Sequence, residues 1–174
     1  MLYLTVLLIF TFFAGMAMTV NEGLWNNTIL LFAILLAGLI GMVLGVPLGN
    51  FVIDRADAGA ETTWYFIFGG VWLSFALSVT LIRLLVDNAS KFRLKFIPLL
   101  DKIAGPLMGL LVAVMFTSFV AYTLERIPIQ AGQWKFADAA DWQKSTFTYA
   151  RAPFFNVAKS FMAAEGADAA FISK

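Results

Sequence analysis

The sequence predicts an all-α integral membrane protein, with four transmembrane helices packed through small-residue stripes and a C-terminal amphipathic helical tail. Three observations carry that reading. Of 174 residues, 61% are hydrophobic and 13% charged, and the mean hydropathy is +0.84, more apolar surface than one water-soluble core could hide. The charges are grouped so that residues 1–21, 23–53, 62–82 and 103–124 contain none. Each run reaches the roughly 20 apolar residues that cross a hydrocarbon core of about 30 Å. Within three of these runs, small residues recur at every fourth position, a spacing that lets helix backbones approach closely in lipid.

The first span covers residues 2–20. No Lys or Arg precedes it and no small-x-small cleavage pattern follows it, so it reads as a permanent helix rather than a signal peptide. A polar turn from Asn21 to Asn27 leads to the second span, 28–53. Pro47 near its end removes a backbone donor and is expected to kink the last two turns, which a bundle can absorb. After the acidic segment Asp54 to Glu61, the third span takes residues 63–82 and the fourth residues 103–124. The connector between them, residues 83–102, carries Arg83, Lys91, Arg93, Lys95 and Lys102 against Asp87 and Asp101. In it, Lys91, Arg93 and Lys95 alternate with Phe92, Leu94 and Phe96, a pattern suited either to snorkelling cations at a membrane boundary or to anionic lipid headgroups. Residues 1–124 therefore form the transmembrane domain and 125–174 an extramembrane tail with 11 charges, too polar to span. Pro153 is expected to divide the tail into two short amphipathic helices, with Phe154, Val157, Ala158 and Phe161 as the apolar stripe of the second.

The stripes are Ala33, Ala37, Gly41, Gly45 and Gly49 on the second span, Gly70, Ser74 and Ser78 on the third, and Gly105, Gly109, Ala113, Thr117 and Ala121 on the fourth. Four residues overshoot a helical turn by about 40°, so each stripe winds round its helix and suits a right-handed crossing. Such stripes either join the four helices of one protomer or leave one face for a second copy or a membrane transport partner.

Composition also removes functions. The chain has no Cys and no His, which eliminates thiolate and imidazole metal sites, disulfides, Cys nucleophiles and the usual His general base. Its carboxylates show no metal-binding spacing, so no enzyme activity and no cofactor are expected. The formal net charge of +1 provides no field for nucleic acid. The spans hold no ionisable side chain of the kind that lines ion pathways. Their polar groups, Asn50, Ser74, Ser78, Thr117, Ser118 and Tyr122, are expected to bond neighbouring carbonyls. A small channel or transport-complex subunit, hinged at Pro47 and Gly49, is the alternative class. Counting Lys and Arg near span ends gives five on the side of residues 83–102 and three, Arg55, Arg126 and Lys135, on the other. That bias puts residues 83–102 in the cytoplasm and both termini outside.

Two local patterns narrow the class. Residues 101–112 read Asp101-Lys102-Ile103-Ala104-Gly105-Pro106-Leu107-Met108-Gly109-Leu110-Leu111-Val112, which resembles the D-(R/K)-x-x-G-x-x-x-G segment of the colicin V production (CvpA) family. The tail sequence Asp141-Trp142-Gln143-Lys144-Ser145, followed by Pro153, is similar to the Trp, Ser and Pro pattern that this family carries after its last helix. On that resemblance the family positions are Asp101, Lys102, Gly105, Gly109, Trp142, Ser145 and Pro153. The chain departs from the pattern at Val20-Asn21-Glu22-Gly23-Leu24, where members usually have Arg-Gly and further basic residues, and at Met108, where they often have Arg. The resemblance implies a bacterial inner-membrane accessory or scaffold protein, linked to colicin V-type toxin production or export and to envelope homeostasis, with no catalytic residues.

Overall fold

The computed structural model describes residues 2–56, 62–89, 98–126 and 139–164. The described residues form five helices and no strand: α1 (Leu2–Thr19), α2 (Leu24–Ala56), α3 (Thr63–Ala89), α4 (Pro98–Arg126) and α5 (Asp141–Ala164). The first four are long and apolar enough to cross a membrane, and the chain is an all-α, multi-pass membrane protein. Helix α4 is central, touching α1, α2 and α5, while α3 packs most extensively along α2 and reaches α4 through Trp72 and Phe75.

Helix pairs touch in two ways, and both follow from side-chain size. Between α2 and α3 the backbones meet through glycine. A Cβ on Gly45 would overlap the Val71 backbone, one on Gly49 would stand 2.8 Å from Ile67 Cα, and one on Gly70 would overlap the Gly45 carbonyl. Contact at that range is what association in lipid requires, since apolar burial gives no advantage over lipid itself. Between α3, α4 and α5 the filling is aromatic. Phe119 stacks on Phe75 with centroids 4.5 Å apart, and Trp72 and Phe154 lie at 5.4 and 5.1 Å from Phe119, within the range where ring pairs add to dispersion.

Several boundaries differ from those the sequence predicts. Helix α2 starts at Leu24 rather than 28 and α3 continues to Ala89 rather than 82. Helix α2 also runs on through Pro47 to Ala56. Pro153 does not divide the tail into two helices: α5 is continuous across it. Pro153 has no N–H for the Tyr149 carbonyl, and the next amide, Phe154 N, donates to Ser118 Oγ on α4 at 2.8 Å. Phe147 docks with Leu4, Leu8 and Val120 on one side of the proline. Phe154 and Ala158 dock among α2 and α4 residues on the other, so tertiary contacts hold both halves in line. Of the expected apolar stripe, Phe154 and Ala158 are buried and Val157 is half-buried, but Phe161 is exposed, one turn beyond the docked part.

Candidate functional site

The segment from Asp101 to Gly109 gathers the polar groups at one end of the bundle. Helix α2 begins with no Ser, Thr, Asn or Asp in position to cap it, because Gly23 precedes Leu24. The cap comes from another helix: Leu24 N donates to Asp101 Oδ1 at 2.6 Å. Asp101 itself stands in the first turn of α4. It serves the positive N-terminus of α2, where a carboxylate is favoured by both hydrogen bond and helix dipole. Gly23 makes room for it, since a Cβ there would lie 3.2 Å from Asp101 Oδ2.

One turn into α2, Asn27 is fully buried. Its Nδ2 donates to Thr19 O at the end of α1 and to Gly105 O on α4, both at 2.9 Å, with Glu22 O at 3.2 Å. Three carbonyls around one end of the amide mark it as the nitrogen, and Oδ1 is buried with no partner among the described residues. Thr19 Oγ1 lies within donating distance of Gly109 O, 3.0 Å, as well as its own helix's Gly15 O, 2.9 Å. The two glycines of the segment are the approach points: a Cβ on Gly105 would meet Glu22 O at 3.1 Å, and one on Gly109 would meet Thr19 O at 2.9 Å. Together Asp101, Gly105 and Gly109 clamp the α1–α2 turn onto α4.

The remaining stripe residues also face inward. Gly41 would place a Cβ 3.1 Å from Val71 O, and Ser74 is buried while Ser78 is half-buried. Ala113 lies opposite Gly15, 3.4 Å from its ideal Cβ. Lys102 is exposed, as are Trp142 and Ser145 on the outer side of α5, and Pro153 is half-buried. Lys91, Arg93 and Lys95 lie outside the described residues. Of the polar groups expected to bond neighbouring carbonyls, Ser118 instead accepts the Phe154 amide, and Thr117 Oγ1 is buried with no hydrogen-bond partner among the described residues. Asn50 is exposed at the far end of α2.

Sequence reasoning missed the roles of Asn27, Thr19 and Gly38. Asn27 sat in a stretch read as a turn, although a second Asn beside the first apolar residues was a signal. Gly38 lies one residue off the α2 stripe, yet a Cβ there would fall 2.6 Å from Phe154 Cε2. An ion pair, Arg151 Nε to Glu125 Oε2 at 2.8 Å, ties α5 to the end of α4. Among the described residues no three of His, Cys, Asp and Glu come together as a metal site.

Two apolar clefts open beside α1. One, of about 410 Å³, lies between α1 and the α2–α4 side, with Phe10, Met18, Ile34 and Phe116 on its walls. The other, of about 300 Å³, lies between α1, α4 and α5. The arrangement can hold helices, and apolar chains between them. No protein-family model, no curated protein and no solved structure matches this chain.

Proposed function

We propose that this chain is an inner-membrane accessory or scaffold protein of the colicin V production type, serving toxin production or export and envelope homeostasis through helix packing with itself or with a transport partner. The observation that carries this reading is the use made of the Asp101-Lys102-x-x-Gly105-x-x-x-Gly109 segment, whose carboxylate and two glycines join the α1–α2 turn to α4. Residues engaged in helix-to-helix joints suit an architectural role. The residues 83–102 face the cytoplasm in this reading, both termini lie outside, and Lys91, Arg93 and Lys95 meet anionic headgroups.

The test is an affinity pull-down of tagged protein in mild detergent, analysed by mass spectrometry together with its native mass. A reproducible membrane partner is the expected result. A homo-oligomer without a partner, carrying current after reconstitution, would replace the scaffold with a channel.

A further inference from the structure

The groove between α1, α4 and α5 combines three properties. It is open to the side: Ile9, Phe13 and Tyr149 on its rim are 52%, 63% and 78% exposed. Its floor is apolar, with Leu8, Phe12 and Val114. Thr117 also lines it, with its hydroxyl buried and without a partner among the described residues. Threonine in a helix ordinarily donates to a carbonyl one turn back, as Thr11, Thr28 and Thr80 do here. A donor left over inside a membrane span is costly, because the surrounding hydrocarbon offers no acceptor.

We propose that this groove binds one acyl chain of a membrane glycerolipid, with the chain's ester carbonyl accepting a hydrogen bond from Thr117 Oγ1. Depth supports an ester as the acceptor. The Glu125–Arg151 ion pair marks the charged end of the span, and Thr117 lies eight residues before Glu125, about 12 Å along the helix. The polar layer on each side of a bilayer is about 5–8 Å thick, so the esters at its base come within about a turn of Thr117. A chain running inward from that point meets Phe12, Phe13 and Val114. Helix α5 makes the groove specific, since Thr146, Ala150 and Pro153 form its outer wall. A straight span on the open bilayer would offer a chain only one side.

The full-length protein is reconstituted in phosphatidylethanolamine–phosphatidylglycerol vesicles containing a trace of phospholipid with a diazirine in its acyl chain, and photo-labelled sites are mapped by mass spectrometry. Labelling is expected to concentrate on Phe12, Phe13 and Val114. It should fall about two- to tenfold, the worth of one hydrogen bond, in Thr117→Val and recover in Thr117→Ser. Thr117→Val keeps shape and removes an unpartnered hydroxyl, so the lipid-free melting temperature should not drop. With wild-type protein, a dialkyl-ether analogue lacking the carbonyl should label less by the same factor, a comparison that needs no variant to fold. Equal labelling by ester and ether lipids, or in Thr117→Val, overturns the proposal. So does label spread evenly over exposed α3 positions such as Leu77 and Leu81, or a groove cross-linked to a second copy.

Discussion

Asp101 stands at the start of one helix and caps another, 77 positions away in the chain. Removing a side-chain cap costs about 0.5–2 kcal/mol, so Asp101→Ala should lower stability by about that amount in a detergent unfolding titration. Asp101→Asn, which keeps an acceptor for Leu24 N, should recover most of the loss. Equal losses in both would mean that the charge rather than the hydrogen bond matters. The adjacent glycines Gly69 and Gly70 offer a second contrast. A Cβ at Gly69 meets nothing within 4 Å, whereas one at Gly70 or at its counterpart Gly45 overlaps backbone. Overpacking of this kind costs about 1–3 kcal/mol. Gly45→Ala should therefore destabilise by that much while Gly69→Ala stays within about 0.5 kcal/mol of wild type, both read from thermal melting in the same detergent.

Helix α5 is held by a ring placed in a slot. Phe154 is fully buried between Gly38, Phe119 and Tyr122, its amide bonds Ser118, and Arg151 reaches Glu125 one turn away. A methyl group on Gly38 would meet the ring edge at 2.6 Å, so the fully buried ring would have to shift. Gly38→Ala should undock α5 and leave the spans folded. Hydrogen exchange would then accelerate across residues 147–158 and stay unchanged in α2 and α4; unchanged exchange in α5 would show that the slot is not what holds it. The aromatic residues of the tail were visible in the sequence, but their partner was not. Phe154 and Ala158 could be recognised as one apolar face, and Phe161 shares that face by periodicity while remaining exposed.

At the level of the bundle, α1 rests on α4, with apolar clefts on both flanks. The glycine stripes are turned toward α3 from α2 and toward α1 from α4, so a second copy or another membrane protein would have to use the remaining lipid-facing surfaces. Orientation is the property of the whole that most constrains a partner. A reporter fused after Lys174 and active only in the cytoplasm should stay silent if residues 83–102 are cytoplasmic, and activity would reverse the assignment.

The four spans and the periodic small residues were legible along the chain, because solubility in lipid requires long uncharged runs and close approach requires missing side chains. Both are local properties of composition and spacing. What the small residues face was not local. That Asp101 caps α2, that Asn27 belongs to a helix rather than a turn, and that Pro153 does not divide α5 each depend on a partner far away in sequence. A hydrogen-bonding group in a dry interior takes its role from whichever helix supplies the complementary atom, and only the assembled bundle brings that atom within 3 Å.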